Sequence, residues 1–170
     1  NRPSILAALG EDNGYQHLYL EGQGKPSSLS TQFDWLVQGK IYTLTTATLM
    51  TDDIVFTRLG ANDPSFNLRR DAALMLRRNH IGNTIFVSAI EPHGSYSPVS
   101  ELSLNPNSNI AEVAVLIDSD AYTAVAIKDK QNQTSLLIIA NQNASSSKSH
   151  KLKIGNKTVR WQGPYHLVTP

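Results

Sequence analysis

A chain of 170 residues, 40% of them hydrophobic, is long enough to bury one sizeable core. It carries 15 basic and 14 acidic residues, a formal charge of +1 with the two signs interspersed, so the overall balance attracts neither nucleic acid nor an anionic membrane, and an acidic ligand would need a local patch. The absence of cysteine excludes disulfides, thiolate nucleophiles and cysteine-ligated zinc, and no run of about 18 apolar residues offers a membrane-spanning helix.

Short β-type segments recur along the chain, punctuated by Gly, Asn, Asp and Pro at roughly the 8 to 12 residue spacing of a sandwich or barrel. The pattern predicts an all-β fold, an antiparallel β-sandwich of about ten to twelve short strands, as a single domain over residues 1–170. With neither an initiator Met nor a signal-like apolar core at Asn1-Arg2-Pro3, the chain reads as a processed or excised piece. The first predicted strand covers residues 15–21, where alternation would place Tyr15, His17, Tyr19 and Glu21 on one face. Such an aromatic, polar face suits either a sugar platform or a buried contact with another domain. Strands follow at 31–37 and 41–48, with Gln38-Gly39 between them as a tight turn, and at 54–58.

Over residues 71–79 an N-cap aspartate and strong helix formers favour a helix, but about nine residues is short for an autonomous one and the neighbours are strands. The strand at 84–91 ends in Pro92-His93-Gly94, read as a rigid turn. Five strands complete the chain before the last at 165–168: 110–118, 122–128, 134–140, 149–154 and 158–161. In Lys151-Leu152-Lys153-Ile154 the lysines face water, and Gly155-Asn156 makes the next tight turn. Val113 to Ile117 and Leu136 to Ala140 are apolar without alternation, which predicts strands covered on both faces at the centre of the core.

Five histidines, His17, His80, His93, His150 and His166, show neither the i, i+4 nor the i, i+2 spacing that puts two rings on one face, so local ligands build no metal site; long-range convergence stays open. His93, held between Pro92 and Gly94, would be presented at a strand end, where it can contact a ligand or serve the turn's own hydrogen bonds. Tyr96 shares that segment and can stack on a sugar ring or pack beneath its own loop. Arg58, Arg69, Arg70, Arg77 and Arg78 form the densest basic cluster, and guanidinium forks suit uronate carboxylates. Neighbours such as Arg69 and Arg70 point to opposite faces if extended, and Asp52, Asp53, Asp63, Asp71 and Glu91 are close enough for internal pairing. Neither G-x-S-x-G, nor a Gly-rich phosphate loop, nor H-E-x-x-H is present.

The long motif from Phe56 to Arg70, with Ile90-Glu91-Pro92-His93-Gly94-Ser95-Tyr96, Gly14-Tyr15-Gln16-His17-Leu18-Tyr19, Thr31-Gln32-Phe33-Asp34-Trp35-Leu36 and Tyr42-Thr43-Leu44-Thr45-Thr46-Ala47, resembles the C-terminal β region of the oligoalginate lyases. These are bacterial polysaccharide lyases of the heparinase II/III-like superfamily. The resemblance covers nearly the whole chain from about Gly14 onward, with Tyr19 standing where a tryptophan is expected. It implies a strand over residues 71–79, upstream helical and β domains of the same lyase as partners, an acidic, alginate-like oligosaccharide as ligand, and a periplasmic or secreted setting.

The reaction it implies is β-elimination: one group neutralises the uronate carboxylate, a tyrosine or histidine removes the C5 proton, and a tyrosine protonates the departing O4. No residue of this chain fills those roles, so it contributes no catalytic residue, and the structural zinc found in such lyases has its ligands in other sequence. No metal or other cofactor is expected here, and neither nucleic acid nor membrane as partner. The substrate-binding candidates are Arg69, Arg70, His93 and Tyr96. Two alternatives stay open: a free-standing carbohydrate-binding module for acidic polysaccharide, and a structural β domain of a lyase for another uronate polymer.

Overall fold

A left-handed glycine sets the first regular element. Gly14 has φ 90°, and Tyr15–His17 form one turn of 3-10 helix, with the Tyr15 N–H on the Asp12 carbonyl at 3.1 Å and the His17 N–H on the Gly14 carbonyl at 3.0 Å. This corrects the extended reading of residues 15–21. Alternation begins only at Leu18, so Tyr15 and His17 share no strand face with Tyr19, which is buried.

The computed structural model describes residues 7–60, 71–79 and 82–170. Its strands are β1 (Leu18–Gly24), β2 (Ser30–Val37), β3 (Lys40–Ala47), β4 (Asp53–Leu59), β5 (Asp71–Arg77), β6 (Ser88–Ser97), β7 (Leu102–Leu104), β8 (Ile110–Asp118), β9 (Tyr122–Asp129), β10 (Thr134–Ala140), β11 (Ser149–Ile154), β12 (Lys157–Gln162) and β13 (Tyr165–Val168). All pairings are antiparallel. The chain divides into two compact units, Asn1–Ser27 with Leu49–Gly82, and Ser28–Thr48 with Asn83–Pro170.

The first unit is a three-stranded sheet in the order β1-β4-β5. Ile54, Val55 and Thr57 of the central strand are buried. The helix formers of residues 71–77 adopt a strand, paired residue for residue with β4 from Asp53↔Arg77 to Leu59↔Asp71. Seven residues gain little as an isolated helix, whereas the open edge of β4 offers ladder hydrogen bonds to every second one of them.

At the mouth of β4, Asp52 has no exposed surface and is gripped by Arg78, Nε to Oδ1 at 2.7 Å and Nη2 to Oδ2 at 2.8 Å, while the Leu49 N–H donates to Oδ2 at 2.8 Å. The Arg78 bonds, working against burial, hold the Asp52 carboxyl below its usual range. Asp53 meets Lys25 at 2.7 Å and Arg77 at 3.4 Å, and Arg58 meets Glu21 at 2.9 Å. Three arginines of the basic cluster are thus engaged in ion pairs.

The second unit holds two four-stranded sheets, ordered β2-β3-β6-β7 and β13-β10-β9-β8, and the hairpin β11-β12. Both predicted tight turns form: Gln38 and Gly39 have φ 47° and 75°, as a type I′ turn requires, and Gly155 alone has φ 58° in the second, as in type II′. β8 packs on β3, and Gln32 Nε2 reaches the Ile110 carbonyl at 2.7 Å while Ser30 Oγ accepts the Val113 N–H at 3.1 Å. Thr43 and Thr45 of β3 are sealed beneath this contact. The hairpin covers β9 and β10 from the other side. Trp161 packs with Ala124, Ile138 and Ala140, and Leu152, Ile154 and Val159 extend the cluster.

The central strand is β9, where Thr123, Ala124 and Val125 are all buried. The expectation that residues 113–117 and 136–140 are covered on both faces is corrected. β8 is an edge strand with register shifts at Ile110/Glu112 and Val115/Ile117, so Val113 is buried while Val115 and Leu116 are exposed. On β10, Ile138 and Ala140 are buried but Ile139 is exposed.

Candidate functional site

The segment that carries His93 is a strand and not a turn. β6 begins at Ser88, later than predicted, and runs through Pro92-His93-Gly94 to Ser97. Two features allow this. Tyr42 pairs with Pro92 and Ile41 with Gly94, so His93 is an extra residue bulged out of the ladder, and Pro92 and Gly94 flank the bulge where regular pairing is relaxed. Gly94 is also pressed against the chain that leaves β7: a Cβ there would lie 2.7 Å from the Leu104 carbonyl oxygen and closer still to that of Asn105. Only glycine lets the strands approach this far.

The bulge aims the His93 ring into a chain of hydrogen bonds. Nδ1 lies 2.8 Å from the Asn105 carbonyl, which only accepts, so Nδ1 carries a proton. Nε2 lies 2.8 Å from Thr43 Oγ1, and that hydroxyl donates to Asp34 Oδ1. Both ring nitrogens thus have a hydrogen-bond partner within the fold. The ring therefore ties β6 to β3 and to the end of β7, with neither nitrogen free to abstract a proton from a substrate. Beside it, Glu91 accepts from the Ser108 hydroxyl, the Asn109 N–H at 2.9 Å and the Ile110 N–H at 3.3 Å. Burial pushes the Glu91 carboxyl up, but these donors, with His93 close by, hold it net below its usual range.

Above the bulge lies an open cleft of about 470 Å³, lined by Lys40 and Tyr42 of β3, Pro92 to Ser95 of β6, and Leu104 and Asn105. Tyr42 stacks on Trp35 of β2, ring centres 5.9 Å apart and planes 12° apart. Lys40 supplies a cation and Tyr42 a ring face, so the cleft can hold an acidic sugar by its carboxylate and one apolar side.

Of the predicted substrate-binding residues, His93 lines this cleft. Tyr96 does not: it is half-buried, paired with Ser103, and its N–H donates to the Gly39 carbonyl at 2.9 Å. Arg69 and Arg70 lie outside the described residues. Among the described residues no three His, Asp or Glu side chains converge. Lys40 and Tyr42 were missed because only the pairing of β3 with β6 brings them to His93.

No family model matches the chain. It is 34% identical over 163 residues to an alginate lyase of Stenotrophomonas maltophilia, a match that covers 96% of this chain and 22% of that protein. The chain is homologous to a segment of the alginate lyases. A second relative, an exo-oligoalginate lyase of Saccharophagus degradans, is 29% identical over 163 residues, covering 94% of this chain and 22% of the relative. The chain thus spans about a fifth of the length of either relative, and the cleft at His93 sits within the matched stretch.

Proposed function

We propose that the chain is the C-terminal β domain of an alginate or oligoalginate lyase, which cleaves a uronic-acid polymer by β-elimination, and that it scaffolds upstream helical and β domains that carry the reaction. The observation that carries this reading is the match itself, which takes in nearly all of this chain but 22% of each lyase. The outer face of the sheet β2-β3-β6-β7 supports it. Register puts Phe33, Trp35, Tyr42, Leu44, Ile90 and Leu104 on that face, and Ile90 and Leu104 are 62% and 69% exposed. A face so rich in aromatic and aliphatic side chains suits a contact with further protein.

The pinned His93 ring supports a scaffolding role over a catalytic one. A polymer of this kind is met in the periplasm or outside the cell, and that is the setting proposed. The test is the ultraviolet absorbance of the conjugated, unsaturated uronate product after the 170-residue chain is mixed with oligoalginate. No rise is expected from the chain alone, and a clear rise would show that it holds its own acid and base.

A further inference from the structure

The two signs of charge are interspersed only as far as Asp129. Residues 1–129 contain all 14 acidic residues and nine of the 15 basic ones, whereas residues 130–170 contain six basic residues and no acidic one. A formal charge of +1 therefore hides a formal −5 followed by +6, and half of the basic residues in the tail come together on one surface.

That surface is the outward face of the hairpin β11-β12. The register pairs Ser149 with Gln162, Lys151 with Arg160 and Lys153 with Thr158, and all six are exposed. His150, Leu152, Val159 and Trp161 alternate with them and turn inward, stacking or packing in the core, so the outward face has a rigid base. Lys151 and Arg160 are directly opposite, about 5 Å apart at Cβ, an arrangement that destabilises a bare hairpin. Lys153 follows Lys151 about 7 Å along the strand. Among the described residues none of these three cations pairs with a carboxylate. A shallow depression lies at Lys151 and Arg160, lined with them by Ser149, His150, Trp161 and Gln162.

We propose that this face binds an acidic polysaccharide of the polyuronate class, at a place separate from the His93 cleft. Carboxylates of neighbouring sugar rings would bridge Lys151 and Arg160 and reach Lys153, relieving the like-charge contact, while Ser149, Thr158 and Gln162 meet ring hydroxyls. The alternation of cations with neutral hydroxyl and amide groups matches a polymer whose carboxylates are separated by hydroxyls. A nucleic acid, with its denser charge, would need a longer cationic track. The proposal does not depend on the lyase reading, since the hairpin would capture such a polymer whether or not other domains cleave it.

The test is affinity electrophoresis of the 170-residue chain in native gels with and without alginate, retardation being taken relative to the polymer-free gel. Alginate should retard the wild type, a neutral dextran should not, and Lys151→Gln/Lys153→Gln/Arg160→Gln should weaken the apparent affinity at least tenfold. Lys130→Gln, an exposed cation elsewhere in the same tail, should behave as wild type. Near-ultraviolet circular dichroism of Trp161 reports whether the triple variant is folded, and Arg160→Gln alone, with a smaller loss expected, replaces it if it is not. The proposal is overturned if the folded variants are retarded as strongly as wild type, if Lys130→Gln loses as much, or if a single-stranded oligonucleotide of equal charge is bound as tightly as alginate.

Discussion

Replacing Asp52 by alanine isolates the contribution of one buried ion pair to the first unit. Asp52 has no exposed surface and receives three hydrogen bonds, two from Arg78 and one from the Leu49 N–H, all between 2.7 and 2.8 Å. The side chain of Arg78 is only 8% exposed, so removal of the carboxylate strips two charge-assisted hydrogen bonds from a guanidinium held out of water. Breaking a buried pair from one side costs about 3–5 kcal/mol, which is roughly a hundredfold to several thousandfold in the opening equilibrium.

Hydrogen exchange read by mass spectrometry localises the effect. Peptides of β4 and β5 should lose protection by that factor, or altogether, while those of β9 and β10 in the other unit keep theirs. Asp52→Ala/Arg78→Leu should regain most of the loss, because both charges are then gone. A loss under 1 kcal/mol for the single variant, or an equal loss in β9 and β10, would refute the idea that this pair locks the β1-β4-β5 sheet.

Gly94→Ala should destabilise the second unit by about 1–3 kcal/mol in urea unfolding, since the new methyl meets the backbone carbonyls of Leu104 and Asn105 rather than a side chain that can step aside. A change within 0.5 kcal/mol would mean that the end of β7 yields without cost. Acid should weaken both units. Asp52 and Glu91 have carboxyls held below their usual range, so their contribution is complete above the unfolded values of about 3.9 and 4.3 and is lost as pH falls through the lower folded values. The urea midpoint should therefore drop between pH 5 and pH 3, and an unchanged midpoint would contradict both assignments.

Much of the β architecture is legible because burial is one-sided where strands lie on a core. Lys151 and Lys153 alternate with Leu152 and Ile154 as period-2 reading demands, and the two glycine turns pin the register of their hairpins. β5 is different, since its residues prefer a helix and only the family resemblance placed a strand there; the ladder on β4 overrides the local preference. The errors share a cause. That residues 113–117 are half exposed depends on β8 being an edge, and that β6 continues past Pro92 depends on its pairing with β3, both non-local facts. The site follows the same rule: the ring of His93 is anchored by Thr43, 50 residues away, and by Asn105, and no local pattern announces either. The cationic hairpin was visible in the sequence, had charge been counted along the chain instead of over the whole of it.

The order in which the chain visits its two units has a consequence for how they can be made or taken apart. The path starts in the first unit, crosses at Ser28 to lay down β2 and β3, returns at Leu49, and departs for good after Gly82. During synthesis the β2-β3 hairpin must therefore wait, its flank bare, until β6 emerges, while the earlier unit closes around the gap. No single cleavage frees either body intact, and an evolutionary swap of one for a foreign module would need three junctions to be matched at once.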